Sequence, residues 1–161
     1  MSGTGRPEDT VVDAAGLTLG IACTRWHGQV TDRLLERAVA AAKACGVQEP
    51  AVARVAGALE LPVVAQQLAR DLDAVVCLGA VVRGETAHFD YVCDSVTAGI
   101  TRVSLDEATP VGNGVLTCDT LEQALARSGF PGSSEDKGWE SVVAALDTAL
   151  TLRRLRSPAR A

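Results

Sequence analysis

The sequence predicts an α/β protein, a three-layer αβα sandwich on a four-stranded parallel sheet. Three observations carry that expectation. Short apolar runs alternate with stretches whose apolar residues recur at helical spacing. The run 74–82 is apolar throughout, as a strand covered by helices on both faces must be. The chain has 161 residues, 47% of them hydrophobic, which is enough for one domain with a proper core.

Each element follows in order. Residues 17–24 form a short apolar run ending in polar residues, the first strand. Val30, Leu34, Leu35, Ala38, Val39 and Ala42 then recur at helical spacing, and Gly46 stops that helix. Residues 52–56 are the second strand, and Pro62 suits the first turn of a helix reaching about Arg70. After the third strand, 74–82, the stripe Phe89, Val92, Cys93, Val96, Ile100 and Val103 marks a helix from about Glu85 to Val103. Residues 115–118 are a short fourth strand. Thr120-Leu121-Glu122-Gln123 is a capping box that opens a helix to about Arg127. The last helix spans 137–156, with Trp139, Val142, Val143, Leu146 and Leu150 inward. Its terminal Arg153, Arg154 and Arg156 are read as solvated cations at the negative helix end. The expected organisation is a disordered segment 1–10, a single domain 11–156 and a flexible tail 157–161.

Composition excludes several functions. Fifteen Lys and Arg against 20 Asp and Glu leave a formal charge of -5, with no basic face for phosphate backbones. Aromatics at 3% offer no stacking platform for single strands, so no nucleic-acid partner is expected. The opening lacks a signal-peptide core, and no apolar run approaches the ~20 residues of a membrane span. A cytoplasmic protein without a membrane partner is expected. The five cysteines are odd in number and lack C-x-x-C spacing, so they read as small buried hydrophobes. His27 and His88 have no zinc-like spacing to them, and no metal site is expected.

In such sheets ligands bind beyond the carboxyl ends of the strands, so the residues after each strand matter most. After the first strand comes Trp26-His27-Gly28. The indole either stacks on a flat heterocycle or caps the core edge, and sequence leaves both open. After the second comes Gly57-Ala58-Leu59-Glu60-Leu61-Pro62. Glu60 either stabilises the positive helix end, the commoner use, or accepts ligand hydroxyls. After the third, Gly79 and Gly84 have the glycine spacing of a P-loop, but Glu85 stands where the lysine should be and would repel a nucleotide. A strand leading through Gly84 into a helix start remains an anion site for one phosphate, with a hydroxyl from Thr86. His88 beside that site suits proton transfer. Gly112-Asn113-Gly114, beside the fourth strand, reads as a flexible loop with one amide side chain. Arg127 and Lys137 are either ligand contacts or members of surface ion pairs.

Taken together, Trp26-His27-Gly28, Gly57 to Pro62, Gly79 to Asp90, Gly112 to Thr117 and Glu135-Asp136-Lys137-Gly138 make the chain resemble the 6,7-dimethyl-8-ribityllumazine synthase family from about Leu17 to Leu155. The resemblance implies a flavodoxin-like fold and an enzyme of riboflavin biosynthesis without metal or organic cofactor. Its reaction condenses 5-amino-6-(D-ribitylamino)uracil with 3,4-dihydroxy-2-butanone 4-phosphate, giving the lumazine, phosphate and water. By the same resemblance Trp26 stacks on the pyrimidine, where many relatives carry phenylalanine. Ala58, Leu59 and Glu60 hold the ribityl chain. Ala80, Val81 and Val82 offer main-chain groups to the pyrimidine edge, and Phe89 lines the pocket. Gly84, Glu85 and Thr86 hold the phosphate, with Arg127 reaching it from a neighbouring subunit. Asn113 and Lys137 are further contacts, and His88 transfers protons.

The resemblance also implies pentamers, or 60-subunit shells, with sites between subunits, and an association with riboflavin synthase. The stripe Phe89, Val92, Val96 and Ile100, with Ala98 and Gly99 for close approach, is the expected assembly helix. Shell-forming members tend to have a glycine-rich, lysine-containing turn before the last helix. Here the turn from Phe130 to Asp136 carries two acids and a proline, which favours the isolated pentamer. Two other readings compete on the same fold: an archaeal-type riboflavin synthase, and a non-catalytic lumazine- or flavin-binding or shell protein.

Overall fold

Apolar runs in the strands and helical spacing between them fold the described residues, 11–157 of a computed structural model, into three layers. The segment 1–10 and residues 158–161, where disorder and a flexible tail are expected, lie outside the described residues. In chain order the elements are β1 (Leu19–Thr24), α1 (Gly28–Ala44), β2 (Ala51–Val55), α2 (Leu61–Asp71), β3 (Ala74–Val82), α3 (His88–Asp106), β4 (Val111–Cys118), α4 (Leu121–Leu125) and α5 (Lys137–Arg156). A single 3-10 turn, Ala58–Glu60, precedes α2. The sheet order is β2-β1-β3-β4, and every pairing is parallel.

Successive side chains of each inner strand enter opposite layers. Leu19, Ile21, Cys23, Val76 and Leu78 pack with α1 and α5. Ala22, Val75 and Cys77 pack with α2 and α3. Both sets must be apolar, which is why β3 reads as one continuous run. Cys23, Cys45, Cys77 and Cys118 are buried, Cys93 is half-buried, and all five are free thiols. Burial pushes the Cys23 thiol up to about 11 and the Cys77 thiol up to about 12, which keeps both neutral and unreactive. Among the described residues no helix is long and apolar enough to cross a membrane.

Several boundaries differ from the sequence reading. β2 runs Ala51–Val55, one residue earlier than read, and α3 continues to Asp106. β1 starts at Leu19 because Thr18 is occupied with Asp73: its amide and hydroxyl both reach Oδ2 at 2.8 Å, and its hydroxyl accepts the Asp73 amide at 3.0 Å. α3 starts at His88, so Glu85 and Thr86 belong to the connecting turn. α4 stops at Leu125. The largest correction is Gly112-Asn113-Gly114, which is strand and not loop: it pairs with Val76, Cys77 and Leu78. Its glycines serve close approach. A Cβ on Gly114 would lie 2.6 Å from Leu78 Cδ2 and 2.9 Å from the Ser141 hydroxyl, and one on Gly112 would strike the Ser141 carbonyl. On the other side of α5, a Cβ on Gly138 would strike the carbonyl oxygen of Leu34 in α1.

The α3 stripe also has a different partner from the one expected. Val92, Val96, Ile100 and Val103 are buried within the subunit against α2. Gly99 makes room for Pro62, whose Cγ would lie 2.7 Å from an added Cβ. What α3 turns outward is Tyr91, 73% exposed, then Ala98 and Leu105 seven and fourteen residues on.

Gly138→Ala is expected to destabilise the fold by roughly 2–3 kcal/mol, because a backbone carbonyl cannot move aside as a flexible side chain can. Denaturant unfolding measures it, and a loss below 0.5 kcal/mol would show that α5 can lift off α1.

Candidate functional site

The sheet itself creates the site. β3 pairs with β4 as far as Val82↔Cys118 but with β1 only as far as Leu78. Beyond that point residues 79–82 have no ladder partner on the β1 side. A cleft of about 320 Å³ opens there, at the carboxyl ends of β1, β2 and β3. Ala80, Val81 and Val82 supply its floor.

One wall is aromatic. His27 sits in the left-handed region at φ 54, which a non-glycine residue adopts only at a cost of about 1–3 kcal/mol. Its carbonyl accepts the amides of Val30 and Thr31 at 2.8 and 3.0 Å, starting α1. That sharp turn throws Trp26 outward to 68% exposure. The indole lies across Gly57, where a Cβ would be 3.7 Å from its Cδ1. Of the two sequence readings, the structure supports an exposed ring at a cleft over a cap on the core edge.

The next wall is the turn Gly57, Ala58, Leu59 and Glu60. Glu60 Oε2 accepts the Gly57 amide at 2.8 Å, and the residue is also the N-cap of α2. The carboxylate thus sits at the helix start, as the first sequence reading of Glu60 has it. One backbone bond satisfies only part of a carboxylate's acceptor capacity, so ligand hydroxyls can still be received.

The third wall is the turn from Arg83 into α3, where Gly84, Thr86, His88 and Phe89 face the cleft. Ala87 caps α3 without a side-chain bond, and the His88 amide meets the Thr86 hydroxyl at 3.4 Å. Glu85 is exposed between two lining residues, and only its backbone is suited to an anion. The local charge is unfavourable to one. Arg83, the cation of this turn, is bonded to Asp119 at 2.8 Å and to Asp90 at 3.2 Å. A bound phosphate therefore needs a positive charge from elsewhere.

Asn113, Arg127 and Lys137 do not line this cleft. They lie along the β4 edge of the sheet and the α4–α5 elbow beside it. Asn113 is exposed on β4 and accepts the Val115 amide at 3.0 Å. Arg127 donates to the Gln123 carbonyl at 2.8 Å, close enough to β4 for its charge to act on Cys118. Lys137 lies 2.8 Å from Glu135 and 2.6 Å from Glu140. Burial disfavours its ammonium, but the bonds to Glu135 and Glu140 outweigh that and raise its pKa above the ordinary lysine value.

His27 and Val92 also line the cleft, and neither was singled out as a ligand contact from sequence. Adjacency to Trp26 was the available signal for His27. Val92 was hidden in the core stripe of α3. Among the described residues no three His, Cys, Asp or Glu side chains gather as a metal site requires. A second cleft, about 330 Å³, lies at the amino ends of the strands, between Leu17, Asp73, Thr109 and Arg153.

A family model for 6,7-dimethyl-8-ribityllumazine synthase matches residues 16–153. The chain is 69% identical over 156 residues to the 6,7-dimethyl-8-ribityllumazine synthase of Saccharopolyspora erythraea, covering 97% of this chain and 94% of that one. It is 67% identical to the protein of the same name from Thermobifida fusca, over 97% of this chain and 91% of the relative. The relative from Mycobacteroides abscessus bears that name too, at 59% identity over 98% and 99%.

The two tryptophans differ in how much packing they carry. Trp26→Ala is expected to change unfolding stability by less than about 0.5 kcal/mol, as at other exposed positions. Trp139→Ala, which removes a half-buried ring stacked 5.0 Å from the Arg37 guanidinium, is expected to cost roughly 2–3 kcal/mol. Equal losses in denaturant unfolding would contradict this division.

Proposed function

The chain belongs to the 6,7-dimethyl-8-ribityllumazine synthase family, and from that we propose how its residues divide the work of the reaction. The enzyme is a transferase of riboflavin biosynthesis. It condenses 5-amino-6-(D-ribitylamino)uracil with 3,4-dihydroxy-2-butanone 4-phosphate, releasing phosphate and two waters. The observation that carries the division is that one cleft joins an exposed indole, a strand rim with no ladder partner on its β1 side and a helix-opening turn.

The pyrimidine stacks on Trp26, and its polar edge is read by the main chain of Ala80, Val81 and Val82. Glu60, with Ala58 and Leu59, receives the ribityl chain. Gly84, Glu85 and Thr86 present amides and a hydroxyl to the phosphate, and Phe89 closes the pocket. The pyrimidine amine then attacks the ketone to give an imine, phosphate leaves, and the second nitrogen closes the ring with loss of water. His88 moves protons in these steps. Positioning two reactants supplies most of the acceleration, and the proton-transfer residue adds ~10²–10⁴. No metal or organic cofactor takes part.

The missing positive charge comes from Arg127 of a neighbouring subunit, with Asn113 and Lys137 on the same approaching face. Three features support this: the three residues share the β4 side, the cleft lies at the other side, and Arg83 is already neutralised. The assembly is an isolated pentamer in the cytoplasm, and association with riboflavin synthase belongs to this reading as well. A riboflavin synthase on this fold would have no use for the phosphate turn, and a mere binder no use for His88, so neither is favoured.

Mixing the purified protein with both substrates is expected to produce fluorescent lumazine and inorganic phosphate together, and no product would overturn the reading. His88→Ala is expected to slow turnover by ~10²–10⁴ without abolishing it, measured at saturating substrate. Arg127→Ala is expected to raise KM for the phosphorylated ketone. Co-refolding His88→Ala with Arg127→Ala chains regenerates some intact sites only if each site spans two subunits, so recovered activity is expected. Light scattering of the wild type is expected at the mass of five chains, and a mass near a megadalton would replace the ring by a shell.

A further inference from the structure

Arg83 does not line the cleft and has no part in the reaction described so far. We propose that it is a positioning residue, which holds the turn 84–89 in the shape that receives the ketone's phosphate. The proposal rests on the reading of the reaction given above and adds a residue to it.

Four attachments converge on Arg83. Its amide donates to the Cys118 carbonyl at 2.9 Å. Its Nε donates to Asp119 Oδ1 at 2.8 Å, just past the end of β4. Its terminal nitrogens reach Asp90, in the first turn of α3, at 3.2 and 3.3 Å. Its guanidinium lies 4.1 Å from the centre of the Phe89 ring. The Arg83–Asp90 pair thus closes a loop containing Gly84, Thr86, His88 and Phe89, all of which line the cleft. Asp119 anchors that closed loop to the sheet. Nothing lies within 4 Å of where a Gly84 Cβ would be, so this part of the turn has no packing of its own to hold it.

The arrangement argues against two simpler roles. Arg83 is a poor phosphate ligand, because two carboxylates already occupy its charge. It is also a poor stabiliser of the fold, because ion pairs this exposed contribute little: its side chain is 43% exposed and that of Asp119 65%. What a planar guanidinium supplies is a rigid fork with a stacking face, which sets the directions of three elements at once.

The test uses the intact assembled protein. Arg83→Ala is expected to raise KM for the phosphorylated ketone about tenfold, with the uracil KM changed less than about twofold and the melting temperature nearly unchanged. Arg83→Lys keeps the charge but cannot span both carboxylates and the ring, so it is expected to recover little of the loss. Asp119→Asn is expected to weaken ketone binding in the same direction. Full rescue by lysine, or tighter ketone binding in Asp119→Asn, would make Arg83 an electrostatic ligand and overturn the inference. So would a fall in kcat with both KM values unchanged, the signature of lost folded enzyme. Calorimetric binding of inorganic phosphate reads the same turn without turnover. A wild type that binds phosphate, loses it on Arg83→Ala and makes no lumazine would refute the reaction and keep the inference; phosphate affinity unchanged in Arg83→Ala would refute the inference.

Discussion

Burial of the sheet on both faces governs the rest of this structure. Residues 74–78 of β3 have no exposed surface, and their backbone groups are spent on β1 and β4. A strand in that position cannot present polar groups along its length. It can do so only where a neighbour stops short, and β1 stops short of β3 by four residues. The cleft, its floor of main-chain groups and its position at the carboxyl end all follow from that one difference in strand length.

The walls around the floor are built from chain reversals. Each is held by a local device: the left-handed His27, the Gly57–Glu60 bond, and the Thr86–His88 contact. None of these demands much from the core. The rim of the cleft can therefore vary, at Trp26 or at Glu60, while the packing beneath stays the same. The electrostatics are less forgiving. Glu85, Asp90 and Asp119 surround the turn that opens α3 against one committed arginine. An isolated chain therefore offers an anion little net attraction at this turn.

Much of this was legible in the sequence because the informative signals were local. The continuous run of β3, the Thr120–Gln123 cap and the turns after three strands each declare themselves within a dozen residues. Thr120 does accept the Gln123 amide at 3.3 Å, although the Gln123 side chain returns to Asp119 and not to Thr120. What escaped depends on contacts distant in sequence. Glycine serves both flexible loops and close packing, and only the approach of Ser141 shows which use applies at Gly112 and Gly114. The α3 stripe could face a neighbour or its own subunit, and Pro62 against Gly99 decides it. The bond from Arg83 to Asp119 spans 36 residues and exists only because β3 and β4 end side by side.

The two-sided wedging of α5 constrains where this chain can change length. Gly138 meets α1, and three residues later Ser141 meets Gly112 and Gly114. Asp136 sets the start of the helix by accepting the Trp139 amide at 3.1 Å and pairing with Arg37 at 2.6 Å. Adding one residue after Asp136 would turn every later position by about 100° and swing a side chain into the Leu34 carbonyl. Residues added between Phe130 and Ser134 leave that phase untouched. Insertions and deletions among descendants of this sequence should therefore crowd on one side of Asp136 and be absent from the other.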